Sequence, residues 1–206
     1  MKEDEVTLRN GLERLGLSAS DTHIEQLLRY AEELTQWNQH TNLIGRNTVD
    51  VMVSRHLLDS LSIAPYLHGT HILDLGTGAG LPGIPLAILH PDKPFTLLDS
   101  RGKKVRFLAH VRTTLALLNV KVVELRAQHY PIERGFDTIT TRAFGSLSAI
   151  EEAAAHLCHR DGVILAMKGK YPTQELSSIK HTTIIHPIKV PYLDAERHLV
   201  LMEPHA

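Results

Sequence analysis

The chain has 206 residues, a formal net charge of −1, 43% hydrophobic and 22% charged residues. That is the make-up of an ordinary globular protein with a core of its own, and it excludes a largely disordered chain and a globally basic nucleic-acid binder. The one cysteine, Cys158, excludes a disulfide framework or a multi-cysteine zinc site within the chain. The 14 histidines are scattered and form no H-E-x-x-H helix pattern, so no metal is expected. No apolar run approaches the roughly 20 residues that span a bilayer. The acidic start MKEDEVTLRN does not read as a signal peptide. A cytoplasmic protein without a membrane contact is the expectation.

In chain order, residues 1–65 read as helices. Leu12, Leu15, Leu17, Ile24, Leu27, Leu28, Ala31 and Leu34 fall at helical spacing. Ser20 or Asp21 suits an N-cap, with Glu25 in the first turn. A further helix is predicted after Thr48, with Val49, Met52, Val53, His56, Leu57 and Ser60 near one face, ending at Pro65. Residues 1–60 carry six Lys/Arg and ten Asp/Glu, a balance of −4. From His71 onward short apolar runs alternate with amphipathic stretches, the pattern of βα units and a mainly parallel sheet. Strands are predicted at His71–Leu75, Phe95–Leu98, Lys121–Leu125, Thr138–Thr141, Gly162–Met167, Thr182–Lys189 and His198–Glu203. Helices are predicted at Pro82–Leu89, Lys103–Leu118, Ser148–Leu157 and Pro172–Ile179. The last two strands follow each other directly, so the α/β sheet should end in an antiparallel hairpin. The division is thus a helical annex, 1–66, and a Rossmann-like domain, 67–206. Residues 101–132 hold seven Lys/Arg, Lys103 and Lys104 among them, against Glu124 alone, a balance of +6. On charge alone this reads as a solvated helix face. Its sharper reading is a phosphate-contacting surface.

The most specific segment is 71–83, HILDLGTGAGLPG. A strand runs into Gly76, Gly78 and Gly80, where the absent Cβ permits a sharp turn and close ligand approach. Pro82 suits the first turn of the helix that follows. Two ligands fit. Gly78-x-Gly80-x-x-Gly83 satisfies the dinucleotide fingerprint, with Asp99 about where a ribose-binding acid belongs. S-adenosylmethionine sites read strand-Asp-x-Gly-x-Gly-x-Gly. The strand ends at Gly76, ahead of the dinucleotide fingerprint. Asp74 stands at its tip, where a carboxylate can meet the methionine ammonium group. The closing hairpin is typical of methyltransferases. These features favour S-adenosylmethionine. The alternative ligand reading is an NAD-dependent dehydrogenase using the same loop.

Further strings make the likeness closer. They are Trp37-Asn38, Thr41-Asn42-Leu43, Arg55-His56-Leu57-Leu58-Asp59-Ser60, the run from Asp74 to Pro85, Leu98-Asp99-Ser100-x-x-Lys103-Lys104-Val105-Arg106-Phe107-Leu108, Thr141-Arg142-Ala143-Phe144, Lys168-Gly169 and Glu196-Arg197-His198-Leu199-Val200. With them the chain resembles the bacterial 16S rRNA guanine-N7 methyltransferases of the glucose-inhibited-division protein B family. The resemblance implies a class I methyltransferase fold with a helical annex. It implies S-adenosylmethionine as donor and N7 of guanine 527 in 16S rRNA, free or in the small ribosomal subunit, as acceptor; the non-enzymatic alternative is a non-catalytic ribosome-assembly binding protein that retains the fold. It places Gly76 and Leu81 against the cofactor, Ala127 and Gln128 beside the adenine, and Arg142 at the mouth of the site. Gln128 stands where family members often carry an acid. Asp74, Gly78 and Asp99 complete the expected cofactor set.

Guanine N7 carries an in-plane lone pair and no proton, so its methylation needs no general base and rests on positioning. A donor held on N7 would block it, so a substrate-reading arginine should address O6 or a phosphate. Arg142 and Arg197 are the candidates for that catalytic-site role. Against it, Arg142 could pair with Asp74 or Asp99, and Arg197 could be structural in the hairpin. His56 and Asp59 share a helix face and read as bound to backbone or to each other. Trp37 reads as core. Cys158, on a predicted helix, reads as a small buried hydrophobe.

Overall fold

A computed structural model describes residues 2–45, 51–179 and 181–203. The chain opens with helices α1 (Lys2–Arg14) and α2 (Asp21–Thr41). Ser20 is the N-cap of α2, its Oγ accepting from the His23 N–H, while His23 Nδ1 accepts from the Ser20 N–H. The reciprocal partner is thus His23, and Glu25 has no part in the cap. Asn42 ends the helix in the left-handed conformation (φ 48°). The start predicted at Thr48 and Val49 lies outside the described residues. Val53–Leu58 forms a π-helical turn that runs into the short α3 (Asp59–Leu61).

Seven strands follow: β1 (Ile72–Leu75), β2 (Phe95–Asp99), β3 (Val120–Glu124), β4 (Phe136–Arg142), β5 (Cys158–Lys168), β6 (Thr182–Pro187) and β7 (His198–Glu203). They form one sheet in the order β3-β2-β1-β4-β5-β7-β6. β1 to β5 are parallel, and β7 slots antiparallel between β5 and β6. The connecting helices are α4 (Gly83–Leu89), α5 (Gly102–Thr114), α6 (Leu147–Ala154) and α7 (Thr173–Leu176). This is the α/β sheet with a terminal hairpin that the patterning predicts.

Three helices of the sheet domain, α5, α6 and α7, end earlier than predicted. α5 stops at Thr114, not Leu118, because Ala116 turns left-handed (φ 51°) and Leu117 N–H caps the Arg112 carbonyl. α6 ends at Ala154, and Cys158 begins β5 rather than lying on a helix. Cys158 is nonetheless buried. α7 spans only four residues.

Alternation along the strands divides the core into two faces. Ile72, Phe95, Leu97 and Leu165 face α4, α5 and the N-terminal helices, in one cluster with Leu8, Leu27, Leu34 and Leu57. Leu73, Leu75, Ile139 and Ile164 face α6. The apolar core therefore runs without a break from the helical annex into the sheet. Polar contacts cross the same boundary, a buried one among them: the fully buried Tyr30 of α2 donates its hydroxyl to the Ala79 carbonyl in the glycine-rich loop, at 2.8 Å.

Tyr30→Phe should cost about 1–2 kcal/mol, because it strands a buried carbonyl. At this chain length that is roughly 2–4 °C per kcal/mol in Tm. Chemical and thermal denaturation will measure it, and parental stability would show that the loop carbonyl finds water instead.

Candidate active site

The sheet order reverses between β1 and β4, and ligands of open α/β sheets bind at such a point, beyond the carboxyl ends of the strands. The loop after β1 is built there from both sides by carboxylates. Asp74, fully buried at the end of β1, lies beneath it. Its Oδ2 accepts from Thr77 Oγ1 (2.5 Å) and the Gly83 N–H (2.9 Å), and its Oδ1 from Thr140 Oγ1 (3.2 Å). Asp99, at the tip of β2, holds the loop from the side: its two oxygens accept from the N–H groups of Gly78 and Arg101, each at 2.9 Å. Gly76 (φ 63°) and Gly78 (φ 59°) take left-handed conformations between these anchors. Asp74 thus faces the underside of the loop, not the cleft. Against expectation, no oxygen is turned outward to meet an ammonium group.

Two cavities share this loop. Gly76, Asp99, Ala127 and Gln128 line one, of about 260 Å³. Gly76, Gly78, Leu81, Asp99 and Arg142 line the adjoining one. Of the expected cofactor set, only Asp74 is absent from both linings. A third cavity, of about 470 Å³, opens on the other side of Ala143 and Phe144 and holds both Arg142 and Arg197.

Asp59 organises this third cavity. It is 2% exposed. Its Oδ2 accepts from Arg142 Nη1 at 2.9 Å and its Oδ1 from Arg197 Nε at 2.6 Å. Arg142 also reaches the Arg55 carbonyl and His56 Nδ1, at 3.4 and 3.2 Å. Arg142 therefore pairs with neither Asp74 nor Asp99, and His56 and Asp59 converge on it rather than on each other. Burial, aided by the charges of Arg142, Arg55 and Arg197, holds His56 down at about 3, so it is neutral and can accept from the guanidinium. At the far wall Lys168 Nζ bonds the Gly145 carbonyl and Glu175, whose carboxylate also accepts from the Leu147 N–H. Sequence reasoning missed Asp59, Phe144 and the Lys168–Glu175 pair as site residues, although the strings containing Asp59, Phe144 and Lys168 were all singled out.

Residues 23–200 match the GidB family, described as rRNA small subunit methyltransferase G. The chain belongs to this family. A Coxiella burnetii "Ribosomal RNA small subunit methyltransferase G" is 45% identical over 193 residues, covering 94% of this chain and 95% of its own length. One from Legionella pneumophila is 43% identical over 200 residues, covering 97% and 96%. Among solved structures, a SAM-dependent methyltransferase from Aquifex aeolicus has a TM-score of 0.58 at 14% identity, covering 82% of this chain and 97% of that one. TYW2 from M. jannaschii, in complex with AdoMet, has a TM-score of 0.52 at 14% identity, covering 70% and 73%. The fold is that of class I methyltransferases, and the chain is an S-adenosylmethionine-dependent enzyme of the GidB family. The dehydrogenase and non-catalytic readings fall away.

The cleft fits that cofactor. A Cβ placed on Gly78 would meet nothing nearer than the Gly76 carbonyl at 3.8 Å, so the backbone is open to close approach. The Asp99 carboxylate lies between this opening and the Ala127–Gln128 wall. Among the described residues no cluster of His, Cys, Asp and Glu could hold a metal ion.

Asp59, which clamps the two arginines, and Asp74 each carry a prediction. Asp59→Asn leaves two guanidinium groups without their counter-charge. With those groups 20% exposed, it should cost about 2–4 kcal/mol and lower turnover roughly tenfold or more, through lost orientation. Calorimetry should find S-adenosylhomocysteine affinity near parental.

Burial pushes Asp74 up to about 6 from 3.8, against the pull of its hydrogen bonds. A raised carboxyl favours the folded state at low pH, and that contribution is lost as pH rises from about 4 through 6. The shift of about two units corresponds to about 3 kcal/mol. Asp74→Asn, which can donate to Thr140, should remove this dependence. The stability difference between variant and parent should therefore move in the variant's favour by that amount between pH 4 and 7, and a constant difference would refute the assignment.

Proposed function

We propose that the acceptor of this small-subunit rRNA methyltransferase is N7 of guanine 527 in 16S rRNA, presented by the RNA or by the small ribosomal subunit. The observation that carries the reading is the state of the acceptor cavity's bases. Both Asp59 oxygens hold guanidinium groups, and His56 Nδ1 accepts from Arg142. No carboxylate or imidazole among the residues lining that cavity is poised to take a proton. An exocyclic amine or a hydroxyl would need one removed. Guanine N7 does not.

S-adenosylmethionine, when bound, supplies a methyl group on a positively charged sulfur. The protein's part is binding and alignment. Gly76, Gly78 and Leu81 bring the loop backbone to the methionine portion. Asp99 accepts from the ribose hydroxyls, and Ala127 and Gln128 flank the adenine. Asp74 keeps the loop in shape from below. Arg142 and Arg197, clamped by Asp59, present their outward N–H groups to O6 or to phosphate, leaving N7 uncovered. Work on ribosomal RNA supports a cytoplasmic setting.

The basic run of residues 101–132 supports an RNA partner, with one correction. Lys103, Arg106, Arg112, Lys121 and Arg126 are exposed. Lys104 is not a free surface charge: its Nζ bonds the Leu43 and Asn42 carbonyls at 2.9 and 3.3 Å and ties α5 to the end of α2.

Cells lacking the protein should lack 7-methylguanine at position 527. The parental gene should restore it. Asp99→Ala should weaken S-adenosylhomocysteine binding by roughly 1–3 kcal/mol in calorimetry, because it removes a charged acceptor and releases the Gly78 and Arg101 amides. A methyl group mapped to another atom or nucleotide would overturn the assignment, and an undiminished affinity would remove Asp99 from the cofactor site.

A further inference from the structure

Phe144 stands between the cofactor cleft and the acceptor cavity, lining both. The residue is 38% exposed. Ala143 just before it takes a left-handed conformation (φ 57°), which L side chains with a Cβ rarely adopt. That turn swings the chain out of β4 and lays the ring on the glycine-rich loop. A Cβ on Gly76 would stand 2.4 Å from Phe144 Cδ2 and 3.0 Å from Cε2. One ring edge therefore rests on bare backbone. On the acceptor side Ile150 and Met167, apolar and buried, line the same cavity. Four cations, Arg55, Arg142, Lys168 and Arg197, line that cavity against the one carboxylate of Asp59. Among the residues lining the two cavities, Phe144 is the one benzenoid ring.

Such surroundings are a poor match for the product. Methylation at N7 leaves a full positive charge on the base, with no proton lost to cancel it. Asp59 offsets part of the guanidinium charge and Glu175 that of Lys168, which still leaves an excess of positive charge. The face of an aromatic ring offers what remains missing, a flat apolar surface whose quadrupole attracts a cation. An interaction stronger with the charged product than with neutral guanine is also stronger in the transition state, and only such interactions raise the rate of the chemical step.

We propose that Phe144 is the platform on which the target guanine stacks, and that its ring discriminates the cationic N7-methylated base from the neutral one. This rests on the guanine-N7 reading above.

The test compares the parent with Phe144→Leu and Phe144→Tyr, each saturated with S-adenosylhomocysteine. The probes are guanosine 5′-monophosphate and 7-methylguanosine 5′-monophosphate, with affinities taken from calorimetry. The parent should bind the methylated nucleotide about 2- to 30-fold more tightly. Phe144→Leu should bring the ratio near one, and Phe144→Tyr should keep it. With unmethylated small subunits as substrate, the Leu variant should lose roughly tenfold in kcat with S-adenosylhomocysteine affinity within about threefold of parental. The Tyr variant should retain most of its turnover, and its melting curve controls for folding. Equal or undetectable binding of the two nucleotides by the parent overturns the proposal. So does a Leu variant with parental ratio and turnover, or one whose turnover falls only in step with cofactor affinity. Nucleoside analysis of the parent's product separates the two readings. Methylation away from N7 sinks the proposed function, whereas 7-methylguanine with an unchanged Leu variant sinks only the platform.

Discussion

One buried carboxylate, Asp59, is shared by two guanidinium groups that reach it from different parts of the sheet. Arg142 comes from the tip of β4 and Arg197 from the approach to β7, 83 and 138 residues away in sequence. Taking three charges out of water is costly unless each finds its partner with good geometry. Here the geometry is met at 2.9 and 2.6 Å. The annex is thereby tied to the two strands that bring Arg142 and Arg197 to the third cavity, and both arginines are held by one anion. The π-helical turn just before Asp59 serves the same end. Its wide turn brings the Arg55 carbonyl and His56 Nδ1 to the Arg142 guanidinium that Asp59 binds.

The cofactor side is organised by the same device, carboxylates that take up backbone and hydroxyl donors. Asp74 and Asp99 hold opposite sides of one short loop, and Tyr30 holds its crest through the Ala79 carbonyl. A glycine-rich loop has little rigidity of its own, since its residues lose more conformational freedom on folding than others do. Three anchors from three different elements offset that. The loop is consequently shaped before any ligand arrives, and the annex shares in shaping it.

Most of the sheet was legible in the sequence because parallel strands buried on both faces are nearly continuous apolar runs, and glycines punctuate their ends. Ile72–Leu75 and Phe95–Asp99 are of this kind. The hairpin was legible because no helix-forming stretch separates its strands. Element ends were less so. The apolar run around Leu115 and Leu117 prolongs the α5 pattern, while the left-handed Ala116 closes the helix. Cys158 belongs to a run that reads equally as helix or strand. The cofactor loop announced itself because its signal is local, three glycines and an acid within a few residues. The clamp is not local. Nothing in Arg55-His56-Leu57-Leu58-Asp59 specifies which distant cations Asp59 will meet, and the π turn breaks the period by which a helix face is read. Asp74 shows the converse. Its place at a strand tip was plain, but the direction of its side chain depends on Thr77, Gly83 and Thr140, two of which the local string contains.

The position of β7 has a consequence for how the chain is assembled. β5 and β6 precede it in sequence, yet each pairs with β7 and not with the other. As the polypeptide leaves the ribosome, the open edge of β5 and the isolated β6 must wait for residues 198–203. Unpaired strand edges invite association with other chains, and late, non-local pairings slow folding. The segment that ends this wait also carries Arg197 into place. Closing the sheet and completing the cavity that Asp59 organises therefore depend on the same short segment, and a nascent chain in which it is not yet in place has no assembled site to offer.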